Sequence, residues 1–262
     1  MTALFRNPTA QATYIILSMM LDTAAWHDRF VQQASWTKAM RQHLYTQIGL
    51  TVDQRILEVG CGTGAILADF DPAASVGIDT NFERLEWISD KQVQCADGHN
   101  LPYANNSFDI TVGHFLLLWV ANPALVIQEM QRVTRPGGFV LALAEPDYGG
   151  RIDYPEELAQ LGQWQQEALA KQGADPLMGR KLAGLFVVSG LKNIETGLMG
   201  GQWQPSNYVP SRQGEFDIVN HDLRGSIEES QLEELRKLDT AAWENGERVL
   251  FVPTFYALGQ VE

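Results

Sequence analysis

Three glycines at alternate positions, Gly60, Gly62 and Gly64, follow the apolar run Ile56-Leu57-Glu58-Val59. Glycine adopts backbone conformations closed to other residues and puts no side chain in the way, so such a turn lets a ligand approach the main chain. Asp79 stands 19 residues beyond Gly60. At the end of a second strand, a short acceptor-only carboxylate there is suited to both hydroxyls of a ribose. Dinucleotide sites use the same device, and Ala65 is a tolerated third small residue of a nicotinamide fingerprint, so that reading stays open here. For proton chemistry the candidates are His114 and the polar segment 145–151. Histidine alone has an unperturbed pKa near neutrality. Tyr148 needs a lowered pKa, and Glu145 or Asp147 a raised one. Asp147, Tyr148 and Arg151 also suit substrate orientation; the competing reading is that Arg151 and Asp147 pair and stiffen their loop.

The surrounding pattern supplies the elements that must position these groups. Residues 1–50 read as helical: an apolar start at Tyr14-Ile15-Ile16-Leu17 is followed by Trp26, Phe30, Ala34 and the stretch 36–45 at helical spacing. Strands are expected over 52–59, 74–78, 93–96, 108–113 and 139–144. A helix-compatible stretch follows the glycine turn and stops at Asp71-Pro72; others are expected over 82–89 and 123–133, with Pro123 in its first turn. The alternation predicts a Rossmann-like three-layer α/β sandwich with a mostly parallel seven-stranded sheet and a helical cap. Beyond Glu145 a loop at 146–155 precedes helices within 156–172 and 176–189, a sixth strand at 192–199, an irregular stretch at 200–221, a charged helix at 228–244 and a last strand at 249–258. The expected organisation is a lid at 1–50, a cofactor-binding core at 51–145, a cap-forming insertion at 146–190 and a C-terminal completion of the sheet with an inserted helical segment at 191–262.

The glycine run, Asp79, Asp97-Gly98, Leu101-Pro102-Tyr103, Asn106-Ser107-Phe108-Asp109 and Arg135-Pro136-Gly137-Gly138 occur in the order seen in one family. Over about residues 52–145 the chain resembles the class I S-adenosylmethionine-dependent methyltransferases, of the small-molecule type found in ubiquinone and menaquinone biosynthesis (methyltransferase domain type 11). Gly64 completes that family's pattern and has no part in the nicotinamide one. The resemblance implies S-adenosylmethionine as cofactor and S-adenosylhomocysteine as product. It assigns cofactor contacts to Glu58, Gly60, Cys61, Gly62, Gly64, Asp79, Thr80, Asp97, Gly98 and His114. The methionine part would lie near the glycines, the ribose at Asp79 and the adenine amino group at Asp97. Bland alternatives stand beside these: Glu58 as a buried carboxylate taking backbone hydrogens, Asp97 as a local turn former, His114 as a satisfied structural histidine. Catalytic candidates are His114 and Tyr148. Asp147, Tyr148, Arg151, Trp36 and Trp203 are candidates for the substrate, and no metal is expected.

Composition narrows the partners. With 32 acidic and 19 basic side chains the formal net charge is −13, which argues against a surface that tracks nucleic-acid phosphates. Cys61 and Cys95 form neither a disulfide framework nor a zinc spacing and read as small core residues. No signal-like start and no membrane-spanning run is read, so the expectation is a cytoplasmic protein, monomeric or homodimeric. Aromatic residues in the flanking segments, among them Trp26, Trp36, Tyr45, Trp164, Trp203 and Tyr208, suit a small organic acceptor. Methyl transfer to such a molecule is the leading expectation; a non-catalytic cofactor-binding scaffold and a nicotinamide-dependent oxidoreductase are the alternatives.

Overall fold

The computed structural model describes residues 23–198, 200, 212–223 and 225–262. In chain order the elements are α1 (Thr23–Gln47), β1 (Ile56–Val59), β2 (Ser75–Asp79), α2 (Phe82–Leu85) and β3 (Gln92–Cys95). There follow β4 (Phe108–His114), α3 (Pro123–Val133), β5 (Thr134–Pro146), β6 (Ile152–Tyr154) and α4 (Ala159–Lys171). The chain closes with α5 (Leu182–Val188), β7 (Lys192–Leu198), α6 (Arg212–Leu223), α7 (Glu229–Glu244), β8 (Val249–Phe251) and β9 (Thr254–Gln260). Two compact units result, one of residues 23–146, 178–198 and 254–262, the other of 147–177, 200, 212–223 and 225–253.

The first unit is built on a seven-stranded sheet in the order β3-β2-β1-β4-β5-β9-β7. The first five of these strands run parallel to one another, whereas β9 is antiparallel to both β5 and β7. This is the Rossmann-like α/β sheet expected from the alternating pattern. Strand order reverses at β1, whose neighbours are β2 and β4, so a crevice belongs beyond the carboxyl ends of these strands. All four residues of β1 and the first six of β4 are buried, as strands covered on both faces require. Helix α3 starts where expected: Pro123 occupies its first turn and the Asn122 side chain accepts the N–H of Leu125 at 3.1 Å. Its buried Val126, Ile127, Met130 and Val133 recur at helical spacing. In α1 the buried set Ala34, Thr37, Arg41, Leu44 and Tyr45 follows the same spacing but includes two polar members, Thr37 and Arg41.

Several expectations change. The stretch after the glycine turn forms only a 3-10 turn, Leu67–Asp69, because few residues separate Gly64 from Pro72. The expected last strand at 249–258 is two strands in two sheets: Pro253 has no N–H to continue a ladder, and β8 pairs with β6 while β9 joins the main sheet. The loop at 146–155 contains β6, and the supposedly irregular 200–221 contains the start of α6. In α6 the buried Phe216, Val219 and Leu223 keep helical spacing, and burial outweighs the weak propensity of Gly214 and Asn220. They pack in the second unit with Leu158, Leu161, Ala168 and Leu232. Cys61 is buried as expected, but Cys95 is exposed, since β3 is an edge strand. Among the described residues no helix is long and apolar enough to cross a membrane.

Candidate functional site

The glycine turn leaves β1 with φ values of +75° at Gly60, +53° at Gly62 and +82° at Gly64. Side chains are disfavoured there twice over. A β-carbon on Gly60 would lie 2.7 Å from Leu116 Cδ1, and one on Gly62 would lie 2.9 Å from Phe30 Cε2 of α1. The N–H groups of Gly60 and Cys61 both donate to the Ile78 carbonyl at 2.8 Å. The N–H of Gly62 donates to Asp79 Oδ2 at 2.9 Å, and that of Asn81 to Oδ1 at 2.8 Å. Asp79 therefore stitches the loop after β1 to the loop after β2, with one bond on each oxygen. Each oxygen keeps a lone pair for a further donor. Thr80 follows Asp79 with its carbonyl 3.6 Å from Cys95 Sγ. Burial pushes the Cys61 thiol far above its ordinary pKa, so it serves as a neutral packing group.

Beneath the turn lies a buried polar cluster. Glu58, 2% exposed, has no partner for Oε2 among the described residues, and Tyr45 Oη is in the same position. Burial pushes the Glu58 carboxyl well above its ordinary range; Asp69 and Asp79 add to this, and Arg41 opposes it. Arg41 donates from Nε to Asp69 Oδ2 at 2.8 Å, and from Nη1 to the Ala34 carbonyl at 2.6 Å and to Thr37 Oγ1. Thr37 Oγ1 in turn lies 2.9 Å from His114 Nε2. His114 is thereby tied into a chain running from α1 to the end of β4. Burial first, and the Arg41 charge second, push its pKa down to about 3. At that pKa the imidazole is a weak proton acceptor, unlike a histidine at its unperturbed value.

Glu145, fully buried, ends β5 by accepting the N–H groups of Leu116 (3.0 Å), Leu117 (2.8 Å) and Leu118 (3.1 Å). Burial raises its pKa to about 7 against the pull of those three donors. It braces a strained corner: Phe115 has φ +50° and Ala144 φ +58°, conformations costly for residues with a β-carbon. After β3, Asp97 Oδ1 accepts both the N–H (2.9 Å) and ring Nδ1 (2.7 Å) of His99. A β-carbon on Gly98 would stand 3.0 Å from Val59 Cγ1, so this loop runs close to β1. Helix α1 closes the first unit's side of the turn: His27 Nδ1 lies 2.9 Å from Thr63 Oγ1, and Phe30 rests on Gly62. Trp36, on the same helix, is 37% exposed.

The segment 145–151 divides between the units, with Glu145 in the first and Asp147, Tyr148 and Arg151 in the second. Asp147 is buried and its N–H donates to the Pro253 carbonyl at 2.8 Å; the N–H of Tyr148 donates to Pro176 at 2.8 Å. Arg151 pairs with Asp153 (2.6 Å), not Asp147, and also donates to Gln165. Asp153 further pairs with Arg248 (2.7 Å), which pairs with Asp239 (2.6 Å). Three of these charged side chains, Arg151, Asp153 and Arg248, are almost fully buried, which commits the Arg151 guanidinium to the protein. Trp203 lies outside the described residues, as do Tyr208 and the expected helical stretch over 1–22.

Sequence reasoning reached Glu58, Gly60, Gly62, Gly64, Asp79, Asp97 and His114, and the structure gathers all seven at the carboxyl edge of β1–β4. It missed Thr37, Arg41, Asp69 and His99. The one usable signal was Arg41, a charge in register with the apolar stripe of α1.

Residues 57–142 match the methyltransferase domain family. An uncharacterized methyltransferase of Schizosaccharomyces pombe is 31% identical over 150 residues, 50% of this chain and 54% of its own length. The demethylmenaquinone methyltransferase of Corynebacterium urealyticum is 32% identical over 120 residues, 44% of this chain and 50% of its own. The chain thus spans about half the length of the curated relatives it matches. Among solved structures, a protein described as a methyltransferase of an antibiotic biosynthesis pathway from Anabaena variabilis superposes with a TM-score of 0.62. It covers 85% of this chain and 97% of its own at 13% identity, a likeness of fold alone.

Proposed function

We propose that this chain, whose residues 57–142 match the methyltransferase domain family, is a class I S-adenosylmethionine-dependent methyltransferase that methylates a small organic acceptor. The observation that carries this reading is the buried Glu58 Oε2, unpartnered among the described residues, beneath a turn held in three positive-φ glycine conformations. A buried acceptor without a donor marks where a polar ligand group belongs. Asp79 and Asp97 keep further acceptor capacity, so the three carboxylates suit an amine, a ribose and an adenine. In this reading Glu58, Gly60, Cys61, Gly62 and Gly64 hold the methionine part, Asp79 and Thr80 the ribose, Asp97 and Gly98 the base, and His114 stands toward the methyl group. S-adenosylmethionine, when bound, supplies a methyl carbon on a positively charged sulfur, open to in-line displacement.

The chain's own contribution is orientation, which alone is worth several orders of magnitude in rate. Phe30 over Gly62 and the Thr37–His114 bond make α1 a lid that excludes water from the turn. Glu145 fixes the loop after β4, so His114 and Leu116 are presented rigidly. With its pKa near 3, His114 positions rather than deprotonates, and the acceptor must bring an available lone pair or an acidic proton of its own. The demethylmenaquinone methyltransferase among the relatives supports a small acceptor without identifying it. Methyl-labelled S-adenosylmethionine, incubated with the chain and a panel of small phenols, amines, thiols and carboxylic acids, tests the proposal. Labelled product with stoichiometric S-adenosylhomocysteine is expected. Tight S-adenosylhomocysteine binding with no transfer to any class would favour a scaffold.

A further inference from the structure

We propose that His99 is a positioning residue for the adenine subsite: anchored at the N-terminus of α3, it clamps Asp97 by one carboxylate oxygen and leaves the other for the amino group of the base. The inference rests on the reading of Asp97 given above. Asp97 needs such a clamp, because it sits on the loop after the edge strand β3 and its side chain is 62% exposed. A carboxylate on so open a loop loses rotamer freedom when a ligand orders it, unless the protein has ordered it beforehand.

The geometry supplies that order through one ring. His99 Nε2 accepts the backbone N–H of Asn122 at 3.1 Å. A ring nitrogen that accepts a hydrogen bond carries no proton, so the neutral ring holds its proton on Nδ1, 2.7 Å from Asp97 Oδ1. The backbone N–H of His99 reaches the same oxygen at 2.9 Å. Both protein bonds to the carboxylate therefore fall on Oδ1, and Oδ2 keeps its acceptor capacity. The anchor is rigid: Asn122 caps α3 through its own side chain, and α3 is held by the buried Val126, Ile127, Met130 and Val133. Burial tends to raise the Asp97 carboxyl, but the bonds from His99 outweigh it and hold the pKa below its ordinary value. An ionised, fixed oxygen selects a purine with an N–H donor at position 6 over one without it.

Calorimetric titration of the full chain with S-adenosylhomocysteine, and with its analogue in which hydrogen replaces the 6-amino group, tests this. The parent should prefer the amino ligand about tenfold, the usual worth of a bond to a charged acceptor. Asp97→Ala should abolish the preference. His99→Ala should cut it at least about threefold while leaving affinity for the 6-deamino analogue within about twofold. His99→Gln, which still offers a donor to Asp97 and an acceptor to Asn122, should restore it. Equal weakening of both ligands by His99→Ala, or no change in either, overturns the positioning role. If Asp97→Ala itself keeps the preference, the adenine assignment fails and the inference falls with it.

Discussion

Replacing Asp79 by alanine removes two things at once, and their sizes can be worked separately. The carboxylate accepts the N–H groups of Gly62 at 2.9 Å and Asn81 at 2.8 Å. At a partly buried position each is worth about 1 kcal/mol, so the folded state should lose about 2 kcal/mol in a denaturant titration. The ribose contact should cost a further 1–3 kcal/mol of binding, roughly a 5- to 150-fold rise in Kd for S-adenosylhomocysteine. Loosening of the glycine turn alone would also weaken binding. A cycle that crosses Asp79→Ala with the 2′,3′-dideoxy form of the ligand separates the two effects. A direct contact predicts a coupling energy of at least about 1 kcal/mol, because the dideoxy ligand has no hydroxyls left to lose. If the variant, shown to be folded, weakens both ligands equally, Asp79 supports the loop and does not hold a ribose.

Three further outcomes follow from the buried ionisable groups. Glu145 has a folded pKa of about 7 against an ordinary 4.5. The native state binds more protons between those values, so its contribution is complete below about pH 4.5 and disappears as pH rises through 7. That gap corresponds to about 3 kcal/mol; denaturation of Glu145→Gln should show a flatter profile by that order, and parallel profiles would refute it. Glu58, held well above its ordinary range by burial and by Asp69 and Asp79, should lose a proton when the cationic amine of S-adenosylhomocysteine binds. Affinity should then rise with pH, and the binding heat should depend on the buffer's ionisation heat in the parent but not in Glu58→Gln. Once an acceptor is known, the rate profile should carry no limb from His114 between pH 5 and 8, since its pKa is about 3; a limb near pH 6.5 that His114→Asn removes would show the imidazole to be the base.

The core was legible because local signals agreed there with the tertiary structure. Asn122-Pro123 at the start of α3, the buried run of β4 and the glycine turn each declare their conformation within a few residues. Where the outcome depended on distant partners, the pattern was insufficient. The split at Pro253 follows from which strand each half meets, and α6 exists because Phe216, Val219 and Leu223 find a core. At the site, residue types revealed which groups accept hydrogen bonds but not what had already engaged them. Arg151 is taken by Asp153, and His114 by Thr37. The Arg41–Asp69 pair joins a helix to the turn after Gly64, a meeting invisible at 28 residues' separation. The ordinary pKa misled at His114 for the same reason, because burial sets it.

One crevice, beyond β1 and β2, is proposed to hold the cofactor of a methyl-transfer reaction. A crystal structure of the chain with S-adenosylhomocysteine addresses it most directly. The homocysteine part should lie along Gly60–Gly64 with its amine toward Glu58, both ribose hydroxyls on Asp79, and the adenine amino group on Asp97. Density for the ligand elsewhere, or none at saturating concentration while a nicotinamide dinucleotide binds at the turn, would contradict it.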